Sequence, residues 1–595
     1  MVDRIHDKIK SGFPVSYAQR RMWFLSRLES KKLLNNSSIK AWLEGDLQVN
    51  FFKKAFQTLV ARHETFRTNF FQASGGEVIQ VVNRFEKVRF NYHDLRLFEP
   101  AEKRRLSREA ELDNIKHKFD LSRDNLIRAS LIRLTEKKYI FIMTLHHIVS
   151  DAWTLALFWN ELSEVYECFV TGLPLGLPPL AIQYKDYAVW EQSSEYLQQF
   201  SGQKKYWLNN LHGAPALTVL PLDFPRPQVQ TYNHGAVIVH LERGLVNEID
   251  RICQRLNVTN YTFLLACFVI FLKNLNNASD VVVGTYVANR DQAELERVAG
   301  TLLNNLAIRS FPESQKSLVE FISDLNQTVL AAMSNKEYPF EKLIEDLKIE
   351  RSANHAPLFN IVFQVFTHDM NFIEKTFSGF KKKIDLFNSD FFQHDIVVRI
   401  GISEKKFGFN FNYNKDLFSQ HTAQQLALGF KKAIELNTRA YDKKLGSIKI
   451  FSDSEIKNFT KKCFAGSRNS QLNNSEKPIN QEQADIEKQI ISIWQEVLLV
   501  KRISREDDFF RLGGHSLKLI QVYDRLEQIF PGEISIAELF NYFTVASLGE
   551  HLSNKIKLGK QPIKFDSKKE FAQIIDAVKH RRSTIEEAVD RIWEI

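Results

Sequence analysis

The chain has 595 residues, a formal net charge of +9, 44% hydrophobic residues and 25% charged residues. This length exceeds what a single hydrophobic core supports, so three or four domains are expected. Basic and acidic residues alternate, and no basic block with interleaved aromatics occurs, which argues against nucleic-acid binding. The four cysteines show no CxxC spacing, so neither a zinc ribbon nor a disulfide framework is indicated and a cytoplasmic location is expected.

Strand-like and helical patterns alternate over residues 1–452, which predicts an α/β fold. Strand patterns are exemplified by "EVIQVV" (77–82) and "YIFIMTL" (139–145), and helical patterns by residues 47–63 and 152–170. The apolar run at 261–272 is too short to span a bilayer and predicts a buried helix. No signal peptide is predicted, because the N-terminal residues have mixed charge and no apolar stretch.

Turn-rich and polar segments divide the chain into predicted domains. The stretch "GLPLGLPPL" separates a first half, 1–178, from a second half, 179–452. A polar stretch rich in Ser, Asn and Gln then predicts a linker, which we bound at 453–483.

Helical periodicity returns after this linker. One face of the first helix carries Ile486, Ile490, Ile493, Trp494 and Val497, which predicts a small helical bundle over 484–555. A tail at 556–595 contains two amphipathic stretches, the second opening with a capping-box pattern at Ser583 and Glu586.

The stretch "LHHIVSDAW" (145–153) raises the question of chemistry. A metal site would need further ligands, and no HExxH motif or Cys/His cluster accompanies the two histidines. They are either well-packed residues at the end of a strand or the seat of an imidazole that accepts a proton. Residue type and spacing alone leave both interpretations open.

Other motifs resolve the question by resemblance. "SYAQRRMWFL" (16–25), "RHETFRTNF" (62–70), "YKDYAVWE" (184–191) and "AGTLLNNLAIR" (299–309) resemble, in order, motifs of nonribosomal peptide synthetase condensation domains. The histidine stretch resembles the HHxxxDG signature of the same family. The resemblance implies two chloramphenicol-acetyltransferase-like subdomains forming a V-shaped α/β domain that joins a donor thioester to an acceptor amine.

The resemblance also implies roles for individual residues. His147 is the expected active-site histidine, which either deprotonates the attacking amine or positions it, whereas His146 is expected to be structural. Asp151 is expected to form an ion pair with Arg62 that holds the loop. Asn304 is a candidate for lining the substrate channel. Ala152 stands where the family has glycine, so donor scope is expected to differ.

A second resemblance covers the predicted bundle. "DDFFRLGGHSLKLIQ" (507–521) is similar to the peptidyl carrier signature, in which a serine follows a glycine turn at the start of a helix. It implies a four-helix carrier whose Ser516 bears 4′-phosphopantetheine, attached by a separate phosphopantetheinyl transferase. The alternative is that Ser516 only caps the helix.

No adenylation domain separates the two regions, so the carrier is expected to be loaded in trans by an adenylation enzyme. The donor is expected on the carrier of an upstream synthetase, with neither metal nor nucleotide needed for the condensation. The terminal helices, followed to 595, either dock a downstream synthetase or pack on the carrier. Ester formation, a free-amine acceptor and a non-catalytic carrier platform are the alternative functions.

Overall fold

The computed structural model describes residues 12–28, 35–73, 76–227, 230–349, 352, 354–366, 380–388, 393–402, 407–439, 443–465, 481–509, 512, 514 and 516–560. Two compact units are distinguished, one built mainly from residues up to Ser475 and one drawn entirely from residues after it. The expected C-terminal helices lie almost wholly outside the described residues, as do Ser583 and Glu586.

In the described residues, helices alternate with strands up to the strand Phe407–Asn414, and only helical elements follow it. The helices are α1 (Tyr17–Leu28), α2 (Val49–Arg62), α3 (Pro100–Ile115), α4 (Ala152–Thr171), α5 (Tyr184–Glu191), α6 (Ser194–Gln199), α7 (Ser201–Leu211), α8 (Arg243–Leu256), α9 (Asn260–Asn276), α10 (Ala293–Glu296), α11 (Leu318–Ser334), α12 (Phe340–Asp346), α13 (Gln420–Arg439), α14 (Asp453–Ala465), α15 (Gln481–Leu498), α16 (Ser516–Ile529), α17 (Ile536–Asn541) and α18 (Val545–Lys560). Short 3₁₀ turns lie at Glu64–Arg67, His147–Val149 and Leu445–Ser447.

The strands belong to three sheets. They are β1 (Phe13–Pro14), β2 (Asn36–Glu44), β3 (Thr68–Gln72), β4 (Val78–Val82), β5 (Phe90–Asp94), β6 (Ile127–Arg133), β7 (Lys138–His146), β8 (His234–His240), β9 (Val281–Val287), β10 (Asn304–Ser310), β11 (Ile361–Phe366), β12 (Lys381–Asn388), β13 (Ile396–Ile402) and β14 (Phe407–Asn414). The sheet orders are β1-β4-β3, β12-β2-β7-β6-β5 and β10-β9-β11-β13-β14-β8.

The first half folds around the five-stranded sheet. Its central strand β7 is buried along most of its length, and the apolar faces of α2 and α4 cover the sheet. Aromatic rings fill this core edge to face, with Phe52 lying 5.0 Å from Phe141 between ring centroids. Such contacts add to the free energy gained from burying the rings. The sequence-predicted strand and helices of this half are confirmed.

The second half folds around the six-stranded sheet. The apolar run predicted to be a buried helix lies within α9, whose side chains from Phe263 to Leu272 are at most 1% exposed. It packs against α13 and the strands of the sheet in the largest hydrophobic cluster of the described residues. Burial on all sides explains why the helix shows a continuous apolar run in place of an amphipathic stripe.

The second half of the sequence contributes one strand to the five-stranded sheet of the first half. β12 comes from the second half of the sequence but pairs antiparallel with β2 along its whole length, from Lys381 opposite Glu44 to Asn388 opposite Ser37. A single boundary near residue 178 therefore does not separate the two sheets. Local periodicity could not reveal this pairing, because it joins strands more than three hundred residues apart.

The linker predicted from residue 453 begins later than expected. Residues 453–465 form α14, and Phe459 from this helix is buried against Phe451, with ring centroids 5.2 Å apart. Phe451 in turn lies 6.0 Å from Phe271 of α9. The helix thus completes the core of the first unit, and the polar stretch that predicted a linker lies largely outside the described residues.

Within the described residues four helices follow, α15 to α18, in the region of the predicted bundle. All five apolar residues that were placed on one face of α15 are buried. Trp494 packs against Phe509 with ring centroids 5.0 Å apart, and Arg505 donates a 2.8 Å hydrogen bond to Glu487. These contacts tie the loop after α15 back to that helix.

None of the helices in the described ranges could cross a bilayer alone. Only α8 and α9 taken together reach the necessary length and apolar content, and they meet at a 105° bend.

Gly284 in β9 provides a test of the packing of the six-stranded sheet. A Cβ at Gly284 would lie 2.1 Å from the ring of Phe359, which is 1% exposed, whereas a Cβ at Gly401 in β13 meets nothing within 4 Å. We expect Gly284→Ala to destabilise the protein by about 1–3 kcal/mol, because the ring cannot retreat into a filled core. Thermal unfolding would measure the effect, with Gly401→Ala as the matched control. Equal unfolding midpoints for the two variants would contradict this account of the sheet.

Candidate active site

Strand β7 carries the histidine pair to the edge of the five-stranded sheet. His146 is its last residue, and the following 3₁₀ turn begins at His147. The His146 ring points inward, is 5% exposed, and its Nδ1 accepts a 3.1 Å hydrogen bond from the backbone N–H of Ile148. Burial lowers the pKa of His146 to about 3, so its ring is neutral and caps the turn. The structural role expected for His146 agrees with these contacts.

His147 has a different environment. It is only partly buried, and its backbone N–H donates a 2.6 Å hydrogen bond to the carbonyl of Asn35. Burial lowers the pKa of the ring to about 4, and the charges of Arg399 and Arg21 lower it as well. In the neutral ring one nitrogen carries a proton and is a donor, and the other nitrogen is an acceptor.

The Ser37 hydroxyl lies close to both ring nitrogens of His147. Its Oγ lies 3.1 Å from Nδ1 and 3.1 Å from Nε2 of His147. The in-plane lone-pair directions of the two nitrogens diverge, so an oxygen equidistant from both lies along neither of them. The Ser37 hydroxyl therefore does not occupy the in-plane acceptor direction of either nitrogen.

Asp151 is the polar centre of the histidine loop, residues 147–151, which joins β7 to α4. It is the N-cap of α4, where its Oδ1 accepts hydrogen bonds from the backbone N–H and the hydroxyl of Thr154 at 2.8 and 2.7 Å. Arg290, from the second half of the sequence, contacts both carboxylate oxygens through one terminal guanidinium nitrogen at 3.1 and 2.9 Å. Both side chains are almost fully buried, so this charge pair is shielded from water.

Arg290 also holds the segment that follows it. Its guanidinium donates to the carbonyls of Leu295 at 3.0 Å, Val298 at 2.6 Å and Gly300 at 3.0 Å. Asp151 accepts a further bond from the N–H of Leu302 at 3.2 Å. One carboxylate therefore fixes the histidine loop of the first half to a loop of the second half.

Gly300, the glycine of the "AGTLLNN" motif, lies where a side chain would not fit. Its φ is +151°, and a Cβ there would lie 1.8 Å from the ring of Tyr184. The Tyr184 hydroxyl donates a 2.7 Å bond to the carbonyl of Thr301, and it lies 2.8 Å from the hydroxyl of Ser16. Tyr184 thus connects the motifs that contain Ser16, Tyr184 and Gly300. Its ring leaves no room for a side chain at Gly300.

The ion pair expected between Asp151 and Arg62 is wrong. Arg62 pairs with Glu161, with Nε 3.3 Å from Oε2, and the adjacent His63 lies 2.7 Å from the same oxygen. Glu161 follows Asp151 by ten residues on α4, which is about 15 Å along the helix axis. Arg62 ends α2, which packs beside the middle of α4, so it supports the helix and does not reach the loop.

Arg290 was missed by the sequence reasoning. It is one of several charged residues in "NRDQAELER", and nothing in the spacing distinguishes it from Arg297. Thr154 was likewise missed, since a threonine in the first turn of a helix is common and its second contact, with Gly300, is long-range.

Asn304 has a packing role in place of the channel-lining role expected for it. It is buried, and its side-chain amide donates to the carbonyls of Lys336 and Tyr338 at 2.7 and 2.9 Å. Its Oδ1 accepts a 3.1 Å bond from the N–H of Phe340. All its polar groups are used to hold the turn between α11 and α12.

Ala152 fits its position without strain. It is the first residue of α4 and is exposed, and it is absent from the described non-glycine residues with positive φ. The helix therefore requires no glycine here. The effect on donor scope stays a prediction.

Ser516 follows a close backbone approach at Gly514. A Cβ at Gly514 would lie 2.4 Å from the ring and 2.4 Å from the carbonyl oxygen of Phe509, while the Gly514 N–H donates to that carbonyl at 2.9 Å. Helix α16 then begins at Ser516. The glycine is thus required sterically, and it sets the turn that leads into the serine.

The chain matches two families in succession. Residues 9–460 match the condensation domain and residues 488–552 the phosphopantetheine attachment site. Gramicidin S synthase 2 of Aneurinibacillus migulanus is 31% identical over 450 residues, which cover 75% of this chain and 10% of that protein. Tyrocidine synthase 2 of Brevibacillus parabrevis is 29% identical over 450 residues, covering 74% and 12%. The chain therefore spans only a small part of the length of these relatives.

Solved structures share the fold. The X-domain from teicoplanin biosynthesis superposes with a TM-score of 0.66 at 24% identity, covering 73% of this chain and 97% of that one. A holo four-domain nonribosomal peptide synthetase bound to AMP and glycine gives 0.65 at 18% identity, covering 83% and 39%. The predicted fold class, with a condensation region followed by a carrier region, is confirmed.

Fold and matched domains together define an acyltransferase joined to a carrier for 4′-phosphopantetheine. The chain belongs to the condensation-domain family of nonribosomal peptide synthetases, whose members are acyltransferases that form peptide bonds.

The buried pair Asp151–Arg290 generates a stability prediction. We expect Asp151→Asn and Arg290→Leu each to destabilise the protein by about 3–5 kcal/mol, because each leaves a buried charge without its partner. The double variant should lose less than the sum of the two, which a double-mutant cycle from denaturant unfolding would measure. Arg105→Leu, which removes an exposed ion pair, is the control and should leave the unfolding midpoint unchanged.

Double-mutant cycles of the same kind test whether Arg62 pairs with Glu161 or with Asp151. Arg62→Leu should couple energetically with Glu161→Gln and should be additive with Asp151→Asn, because Arg62 contacts only the former carboxylate. Strong coupling between positions 62 and 151 would restore the original expectation.

Glu191 makes the stability of this region depend on pH. It is buried, accepting bonds from the Tyr17 N–H at 2.7 Å and the Tyr187 hydroxyl at 2.8 Å, and burial raises its pKa to about 7. The folded state therefore binds a proton that the unfolded state releases above its ordinary pKa, so stability falls as pH rises from about 4.5 to about 7.

The variant Glu191→Gln should remove this contribution to the pH dependence of stability. It mimics the protonated acid, so we expect it to lose about 3 kcal/mol less than the parent over that pH range. Denaturant unfolding at a series of pH values would measure the difference. Parallel stability curves for parent and variant would show that Glu191 is ionised in the folded protein.

Proposed function

We propose that this chain forms an amide bond between a carrier-bound donor thioester and the amine of an acceptor aminoacyl thioester tethered to Ser516. The amine nitrogen attacks the thioester carbonyl carbon, the carbon–sulfur bond breaks, and the proton lost by the amine ends on the departing thiol. The observation that carries the proposal is the neutral, partly exposed ring of His147 fixed beside the Asp151–Arg290 contact.

The low pKa of His147 supports positioning over full deprotonation. A ring with a pKa near 4 is neutral at physiological pH but is a weak base, so it holds a transferred proton poorly. The ring accepts a hydrogen bond from the amine through its unprotonated nitrogen, which directs the lone pair of the amine at the thioester carbonyl carbon. Thioesters are activated acyl donors, so positioning two tethered reactants supplies most of the acceleration.

Ser516 carries the tether in this proposal. The steric requirement for Gly514 and the start of α16 at Ser516 support this residue over a mere helix cap. No adenylation domain lies between the two matched regions, since only residues 461–487 separate them. We therefore propose loading by an adenylation enzyme in trans, after a phosphopantetheinyl transferase has attached the arm.

The donor is proposed to arrive on the carrier of another synthetase module in the cytoplasm. The role of the residues after 560 in docking a downstream synthetase stays a prediction.

A reconstituted single turnover tests the proposal. A phosphopantetheinyl transferase would transfer glycyl-phosphopantetheine from glycyl-coenzyme A to the Ser516 hydroxyl, with release of adenosine 3′,5′-bisphosphate. Octanoyl-N-acetylcysteamine would serve as the soluble donor. Intact mass spectrometry should show conversion of the glycyl arm to octanoylglycyl. We expect His147→Ala to slow this conversion about 100-fold, because the variant loses the hydrogen bond that orients the amine and a misplaced reactant can cost about that factor in rate.

Controls separate catalysis from folding and loading. His212→Ala, at an exposed histidine outside the site, should convert at the parent rate. Ser516→Ala should acquire no arm, and a persistent mass increment would remove that assignment. Parent-rate conversion by His147→Ala would remove His147 from the mechanism and favour the non-catalytic platform. Faster acylation of free glycine than of the tethered glycyl group would favour a free-amine acyltransferase, and faster acylation of a tethered hydroxyacyl group would favour ester formation.

A further inference from the structure

A cavity of about 680 Å³ lies in the second half of the first unit, away from the histidine loop. Its wall combines the segment after α7, the C-terminal turn of α9, the 3₁₀ turn at Leu445–Ser447 and Ile456 of α14. Most of the lining is apolar, including Leu217, Leu275 and Ile448. The volume falls in the range typical of small-molecule sites.

Lys273 is the unusual member of this lining. It belongs to the last turn of α9 and is 8% exposed, and no carboxylate within the described ranges lies within ion-pair distance of it. The one acidic residue of the lining, Asp280, is committed to Arg309 through contacts of 3.0 and 2.7 Å. The cavity therefore holds a buried ammonium group with no counter-ion from the described part of the protein.

The position of Lys273 favours the charged form despite its burial. Burial lowers the pKa of its amine, but the carbonyl end of a helix stabilises a nearby cation. A buried cation without a partner is costly, and an anion entering the cavity would offset that cost. The apolar wall would at the same time accept a hydrocarbon chain.

We propose that this cavity is a binding site for an amphipathic monocarboxylate, with the carboxylate on the Lys273 ammonium and an alkyl chain along the apolar wall. The other lysine of the lining, Lys449, is exposed and lies 3.7 Å from a carboxylate oxygen of Asp453. The buried Lys273 ammonium is thus left to match a single negative charge, and the mainly apolar lining matches an alkyl chain better than a sugar or a nucleotide.

The site is distinct from the candidate active site. Asp280 precedes β9, whereas Arg290 follows its far end, and a seven-residue strand separates the two regions by about 20 Å. The proposal consequently stands on its own, whether or not His147 takes part in condensation.

Isothermal titration calorimetry of the full chain with sodium decanoate tests the site. We expect saturable one-to-one binding, weakened at least about tenfold in Lys273→Met, because the variant loses a charge-assisted hydrogen bond. Lys273→Arg should retain binding, and Lys53→Met, at an exposed lysine of α2, should bind as the parent does. 1-Decanol should bind at least about tenfold more weakly than decanoate for the same reason.

Thermal unfolding guards against a trivial loss of binding. Lys273→Met should unfold at or above the midpoint of the parent, since it removes a buried charge that lacks a partner. Absence of saturable heat with the parent, unchanged affinity in Lys273→Met, or equal affinities for decanoate and decanol would each overturn the proposal.

Discussion

The contact between Asp151 and Arg290 is the constraint on which the candidate site depends. It joins the N-terminus of α4, directly after the histidine turn, to a loop that follows β9 in the other half of the sequence. Because both groups are buried, neither can exchange its partner for water at low cost. The position of His147 is thereby linked to the packing of both sheets.

The hydrogen bonds around this contact explain why the site tolerates sequence change unevenly. Asp151, Thr154 and Gly300 form one connected network, and the glycine leaves no space beside Tyr184. Ala152 lies next to this network but is an exposed first residue of α4 without a positive φ, so its backbone does not require the family's glycine.

Local pattern predicted the elements well and the long-range contacts poorly. The strand ending at the histidines, the buried α9 and the apolar face of α15 all follow from periodicity, because each is determined by its own residues. The strand exchange through β12 and the pairing of Asp151 with Arg290 depend on residues far apart in sequence, which no local pattern encodes. The incorrect partner Arg62 came from the family resemblance, and the carboxylate that Arg62 contacts, Glu161, lies further along α4 than Asp151.

The central claim is that His147 is held as a neutral ring that accepts a hydrogen bond, and its titration tests this most directly. Protein labelled with ¹³C at histidine Cε1 would be followed by NMR from acidic to neutral pH, with the His147 resonance assigned by its loss in His147→Ala. The account predicts that this resonance does not titrate between pH 5 and 8 and begins to shift only near pH 4. A titration midpoint near the ordinary histidine value of about 6.5 would show a solvated, unrestrained ring and would contradict it.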